Sequence, residues 1–244
     1  TLLVLSSPAW AGADAGASCA EVEQRLTGLQ RQLASCSEGL RSAGAARERH
    51  DVELQETQER LSALWQTLQK FNGLLVLDAD GLNRLAARGD ASAWLRARRG
   101  ATWITPHQGE FRRLFPELQG RDNLSAALEA ARHSGAVVLL KGARTIVAAP
   151  DGRRWQVQEA AGEAARAGLG DVLAGYAAGR GAIAAGVAAG VTDLDESGAA
   201  GIDASLLAVA ALAHAQAGLD CVRRIGAGGA TPMAVASALA RLQQ

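Results

Sequence analysis

From Val22 to Phe71 the apolar and small positions recur in unbroken steps of four and three: Val22, Leu26, Leu29, Leu33, Cys36, Leu40, Ala43, then Arg47 and His50, then Leu54, Thr57, Leu61, Leu64, Leu68 and Phe71. Only a helix lines up such positions on one side, and the alternation of three and four is a heptad seam. Arg, Glu and Gln fill the other positions, as on a solvated coiled-coil surface. The seam weakens around Ser42 to Ala46, where either one long helix has a soft centre or two helices fold back as a hairpin. This stretch, residues 20–71, carries no visible chemistry.

Ahead of it, Leu2-Leu-Val-Leu5 and the small-residue stretch to Gly12 read like the end of a secretory signal, with a small-x-small site after Ala11. Residues 1–19 are therefore taken as a signal-like or disordered start.

From Asn72 the pattern changes. Short apolar runs alternate with helical stretches: Leu74–Leu77, Ala101–Thr105 and Ala136–Leu140 are runs, and helices are expected after Gly81, after Glu110 and over Asn123–Ser134. Such alternation implies α/β architecture with a parallel sheet. Thr145–Ala149 and Arg154–Val157, joined by Pro150-Asp-Gly152, read as a hairpin. Helices follow, from Asp171 to about Ala185, from Asp203 to Gly218, and a last one capped by Thr231-Pro232.

Composition narrows the function. Formal net charge is zero and aromatics are 4% of the 244 residues, which argues against nucleic acid. Three scattered cysteines and four histidines show no metal-ligand spacing, so no structural metal is expected. No run is read as long and apolar enough to span a bilayer.

Polar residues gather where the runs end: Asp78, Asp80 and Asn83, then His107 and Glu110, then Lys141. In open α/β sheets those strand ends form the ligand crevice. Gly168-Leu-Gly-Asp171 adds a glycine turn leading into a helix, a setting whose free N–H groups suit an anion. A carboxylate beside it can serve as a general base. The plainer alternative is that Asp171 only caps the helix.

Four segments, Val76-Leu-Asp-Ala-Asp-Gly-Leu-Asn83, Ile104-Thr-Pro-His-Gln-Gly-Glu-Phe111, Val138-Leu-Leu-Lys-Gly-Ala-Arg-Thr145 and Gly168-Leu-Gly-Asp-Val-Leu-Ala-Gly175, stand in an order and spacing that resembles the ADP-dependent NAD(P)H-hydrate dehydratases of the ribokinase-like superfamily. The resemblance runs from about Leu74 to Ala240. It implies a partial ribokinase-like parallel sheet with flanking helices over 72–244, behind the long helical or coiled-coil segment. It also implies a repair reaction. ADP, or ATP in some members, phosphorylates the hydroxyl of a hydrated nicotinamide ring, and loss of phosphate restores NADH or NADPH.

On this resemblance Asp171 is the base and contacts substrate. His107, Asp80 and Asn83 are further substrate-binding candidates. Lys141, Gly142, Ala143, Arg144, Thr145 and Gly170 line the nucleotide site. The N–H groups of Gly168, Leu169 and Gly170 form the anion hole. Mg²⁺ is expected with the nucleotide, and no metal site is assigned to protein side chains. The implied setting is cytoplasmic, although the signal-like start leaves export open. Nucleic-acid partners and membrane spans are not expected, and the heptads allow a homo-oligomer. A competing reading makes the chain a catalytically dead interaction protein that oligomerises through the heptads.

Three positions depart from the family pattern: Leu169 where Ser or Thr is usual, Arg166 where Thr is expected, and Gln108 where Pro is common. The family's early strands and its Gly-Tyr-Ala-Gly-type substrate loop have no counterpart here.

Overall fold

A computed structural model describes residues 19–158, 167–191 and 202–242. The signal-like start and Arg166 lie outside the described residues. Two compact units divide the chain at 63/64.

The first unit is helical. Helix α1, Cys19–Lys70, is continuous through Ser42–Ala46, so of the two arrangements left open there the single long helix is found. The seam leucines of its first half are solvent-facing, with Leu26 57%, Leu33 75% and Leu40 75% exposed.

The second unit takes in the last turns of α1 and then builds a sheet. Trp65 is buried and meets Trp94 edge to face at 4.9 Å, an arrangement favoured by the ring quadrupoles. Arg98 donates to the Leu68 carbonyl near the end of α1, to the Gly73 carbonyl at 3.0 Å, and from Nε to Thr102 Oγ1 at 2.8 Å. One cation thus satisfies a carbonyl that the helix end leaves open and ties it to the link before β1 and to β2.

Among the described residues five strands stand in sequence order: β1 Leu75–Leu77, β2 Thr102–Ile104, β3 Val137–Leu140, β4 Thr145–Ala148 and β5 Arg154–Val157. β1, β2 and β3 are parallel, while β3–β4 and β4–β5 are antiparallel. The sheet is therefore mixed: the parallel part is as expected, and the hairpin supplies the antiparallel edge.

Period-two alternation sends neighbouring side chains to opposite faces. Ile104, Val138, Leu140 and Ile146 join one core cluster with residues of α2 (Ala79–Ala87), α3 (Ala91–Arg96), α4 (Gln108–Leu114) and α5 (Asn123–Ser134). Trp103, Leu139 and Val147 join the other with α6 (Leu169–Val191) and α7 (Ala204–Ile225). The four helices that cross between parallel strands share one face, as crossovers of uniform hand require.

A third cluster links α6, α7 and α8 (Pro232–Arg241) through Leu169, Ala217, Cys221, Val235 and Leu239. Contrary to the sequence expectation, α7 has the length and mean hydropathy, 1.4, of a helix able to cross a membrane. Its apolarity has a use in the core, because Leu207, Ala211, Ala217 and Cys221 pack there.

Candidate active site

The parallel register brings the carboxyl ends of β1, β2 and β3 side by side. Beyond Ile104, the Thr105 N–H and hydroxyl both donate to the Leu77 carbonyl, at 3.1 and 3.3 Å. Lys141 N donates to Pro106 O at 2.8 Å, and His107 bridges Lys141 in parallel register. Asp78, His107 and Lys141 therefore follow three adjacent strands, where open α/β sheets bind ligands.

Lys141 and Asp78 reach across the middle strand. Nζ lies 2.6 Å from Asp78 Oδ1, and the side chains are 21% and 12% exposed. An ion pair this sheltered is screened little by solvent. The sequence placed Asp78 among the polar strand ends but not among the site residues. Its signal was the strand-terminal position itself.

Ala79, between the two aspartates of Asp-Ala-Asp, has φ +46°, the only positive φ of a non-glycine residue among the described residues. That conformation is disfavoured for an L side chain. The bend occurs as the chain leaves β1, directly after the residue paired with Lys141.

The glycine turn packs against this pair. A Cβ on Gly170 would lie 3.3 Å from Lys141 Nζ and 3.6 Å from Asp78 Oδ2, so glycine lets the backbone of α6 approach the charges closely. Gly168 has φ +87°, and a Cβ there would lie 3.0 Å from Pro232 Cγ at the start of α8. Leu169 turns its side chain into the α6–α8 cluster and is nearly buried. Leucine at that position thus anchors the turn against α7 and α8.

Helix α6 begins at Leu169, and Val172 N donates to Gly168 O at 3.2 Å. Asp171 is therefore in the first turn and is not the cap residue, which corrects the plainer reading of this segment. Helix geometry leaves the first-turn N–H groups without intrahelical acceptors. Asp171 is exposed and makes no hydrogen bond or ion pair among the described residues.

His107 caps α4. Its Nδ1 accepts from Gly109 N at 2.9 Å and Glu110 N at 3.2 Å, while His107 N donates to Glu110 Oε2 at 2.8 Å. This is a reciprocal capping box with histidine in the place of the usual hydroxyl residue, which is why the sequence did not reveal it. Glu110 is buried, and its Oε1 lies 3.4 Å from His107 Nε2. The imidazole remains 53% exposed, with Nδ1 taken up by the cap and Nε2 beside the Glu110 carboxylate.

Asp80 is exposed in the first turn of α2 and has no partner among the described residues. Asn83 Oδ1 accepts from Arg113 Nε of α4 at 3.1 Å. Both residues stand on α2, and among the described residues no hydrogen bond joins them to the Lys141–Asp78 pair.

A cavity of about 410 Å³ opens beside Lys141. Lys141, Gly142, Ala143 and Arg144 line it, with Asn123 at the start of α5 and Gln156 on β5. Thr145 does not line it, but its hydroxyl donates to the Gly142 carbonyl at 3.2 Å and closes the turn. The exposed Arg144 guanidinium has no ion-pair partner among the described residues. An unpaired guanidinium and a lysine suit a phosphorylated ligand. Among the described residues no group of three or more His, Cys, Asp and Glu side chains could hold a metal ion.

Residues 53–241 match the NAD(P)H-hydrate dehydratase family. Bifunctional NAD(P)H-hydrate repair enzymes Nnr are similar to this chain: that of Synechocystis is 48% identical over 101 residues, or 41% of this chain and 19% of that protein. The enzyme of Gloeobacter violaceus is 50% identical over 103 residues, or 42% and 20%. The matched stretch thus spans about a fifth of the length of these curated relatives. An ADP/ATP-dependent NAD(P)H-hydrate dehydratase from Bacillus subtilis, co-crystallised with ATP and Mg²⁺, is 26% identical, covers 60% of this chain and 48% of its own, and superposes with a TM-score of 0.47.

Proposed function

The chain belongs to the NAD(P)H-hydrate dehydratase family, and from that premise we propose that it carries out the ADP-dependent dehydration of hydrated NADH and NADPH, with ATP as an alternative donor. The observation that carries the reading is the packing of Gly170 against the Lys141–Asp78 pair, with the exposed Asp171, which has no partner among the described residues, next in the chain.

In this reading the nucleotide lies in the cavity of Lys141 to Arg144, Thr145 shapes the turn, and the first-turn N–H groups of α6, around Gly168 to Gly170, receive the terminal phosphoryl group. Lys141 borders both the cavity and the glycine turn, so it can follow the phosphates from one to the other. Asp78 holds its Nζ in place. Preorganised donors of this kind stabilise the charge that develops on a transferring phosphoryl group.

Asp171 takes the proton of the ring hydroxyl as that oxygen bonds to phosphorus and the nucleotide leaves. Phosphate then departs with the electrons of the carbon–oxygen bond, a proton is lost from the neighbouring carbon, and the ring double bond is restored. His107, through the exposed part of its ring, Asp80 and Asn83 are assigned to the hydrated nicotinamide. The described residues offer no protein cage for Mg²⁺, so the ion would be carried by the phosphates of the nucleotide, where it neutralises charge. A cytoplasmic setting follows from the substrate.

The test is recovery of reduced-nicotinamide absorbance from hydrated NADH with ADP and Mg²⁺. Recovery that requires ADP and disappears in Asp171→Asn supports the reading. A folded chain that binds ADP yet restores no NADH overturns it.

A second role belongs to α1. The exposed leucines of its seam, spaced as in a coiled coil, support self-association of the helix with a second copy. This role is compatible with the catalytic one. It would stand alone if turnover failed.

A further inference from the structure

Helix α4 brings a cation to the rim of the crevice beside His107. Arg113 stands in the last turn of α4 and reaches back toward its start, as long helical side chains do. Its Nη1 lies 4.0 Å from the point where a Cβ on Gly109 would stand. The same Cβ would meet His107 Cε1 at 2.8 Å, closer than side chains pack. Gly109 therefore leaves room for the imidazole on one side and the guanidinium on the other.

The way Arg113 is held keeps its charge. In the same unit Arg88, Arg121, Arg153 and Arg224 are tied to carboxylates. Arg113 has no such partner among the described residues, and its Nε donates instead to the amide oxygen of Asn83 on α2 at 3.1 Å. An amide fixes the guanidinium plane without neutralising it. The side chain is exposed, and its two terminal nitrogens make no hydrogen bond among the described residues. A charged planar fork of this kind suits a phosphate.

Hydrated NADH and NADPH are dinucleotides. One ribose separates the nicotinamide ring from the pyrophosphate, so a ring seated at His107 carries phosphate oxygens toward the next cation along the rim. We propose that Arg113, held by Asn83, binds a phosphate of the dinucleotide substrate. The proposal rests on the reading of the substrate as hydrated NADH or NADPH. Arg113 meets no reacting atom, and its contact is the same before and during phosphoryl transfer, so it acts on binding and not on the chemical step.

The experiment compares wild type with Arg113→Gln, which removes the charge, Asn83→Asp, which sets a carboxylate against the guanidinium, and the double variant. Thermal denaturation verifies folding. With ADP saturating, the KM for hydrated NADH is expected to rise about tenfold or more in Arg113→Gln, with kcat within about twofold of wild type. Asn83→Asp should raise KM in the same direction, and the double variant should be no worse than Arg113→Gln, because both act on one charge. The KM for ADP should stay as in wild type. Equal rises for hydrated NADH and hydrated NADPH place the contact at the pyrophosphate, whereas a rise confined to hydrated NADPH places it at the 2′-phosphate.

Binding of NADH, followed by its own fluorescence, reads the contact without turnover and should weaken in parallel. If the variants keep wild-type KM and wild-type NADH affinity, the proposal is overturned, and a loss of stability alone then marks Arg113 as a tie between α4 and α2. A rise in the KM for ADP without one for the hydrate overturns it in favour of a role with the donor nucleotide. Losses that multiply in the double variant overturn the part given to Asn83. A wild type that binds NADH through Arg113 but shows no turnover refutes the catalytic reading and upholds this subsite, and one that binds neither NADH nor its hydrate overturns both.

Discussion

Lys141 and Asp78 join the ends of β3 and β1 over the end of β2, Nζ to Oδ1 at 2.6 Å. A single short bond therefore closes the crevice between three strands. Because both side chains are largely shielded, removing one partner strands the other. Lys141→Met should destabilise the fold by about 1–3 kcal/mol and weaken ADP binding. Asp78→Asn should cost a similar amount. The double substitution should cost clearly less than the sum, as for any directly coupled pair. Urea unfolding of the four proteins measures this; additive losses would show that the pair contributes no coupling.

Ala79 makes an opposite prediction. Its φ of +46° is strained for alanine and ordinary for glycine. Ala79→Gly should therefore leave stability unchanged or raise it by up to about 1 kcal/mol, although glycine in an unstrained helix position costs about that much. A loss of stability on thermal denaturation would refute strain at this junction.

The Asp151–Arg153–Asp203 triad predicts a pH dependence. Arg153 donates to Asp203 at 2.7 and 3.1 Å and to Asp151 at 2.7 Å, which links the β4–β5 turn to the start of α7. Arg153, and then Ser205, hold the Asp203 carboxyl well below the usual carboxylate range. A carboxyl depressed in the folded state contributes stability in full above its unfolded pKa, about 3.9, and loses it as pH falls toward the folded value. Asp203→Asn should thus lower the urea midpoint at pH 7, with the gap to wild type narrowing below about pH 4. Half-exposed pairs are weakened by solvent, so the gap should be small and should shrink in salt. A gap that is constant from pH 7 to pH 3 would exclude the carboxylate as its source.

The features legible in the sequence are those set by local pattern. Asn123–Ser134 reads as a helix because Asp122 caps it and Gly135 ends it in a left-handed turn. The hairpin reads from Pro150-Asp-Gly152. The cluster of strand-end polar residues is legible because parallel strands place their carboxyl ends together. What pairs with what is not legible, because it depends on contacts between distant segments: Asp78 meets Lys141 across 63 positions. His107 as a cap is hidden because imidazole rarely serves as one. The start of α6 at Leu169 is hidden because a leucine between two glycines reads as a broken turn, and only the α7–α8 cluster shows what that side chain does.

Self-association through α1 is a prediction drawn from exposure. A helix of 52 residues that leaves Leu26, Leu29, Leu33 and Leu40 in water carries an apolar stripe that pairing would bury. Arg47 and His50 interrupt the stripe, and polar seam residues set register at a cost in stability. Sedimentation equilibrium of the full chain should give a mass at least twice 25.1 kDa, and Leu33→Lys with Leu40→Lys should return it to monomer. Cys36 is a free, exposed thiol on the same stripe. In a parallel in-register pair the two copies of Cys36 face each other at disulfide-forming distance. Mild oxidation should then cross-link wild type and not Cys36→Ser. A multimer that does not cross-link through Cys36 has its helices antiparallel or staggered, whereas a wild type that stays monomeric at every concentration refutes the association itself.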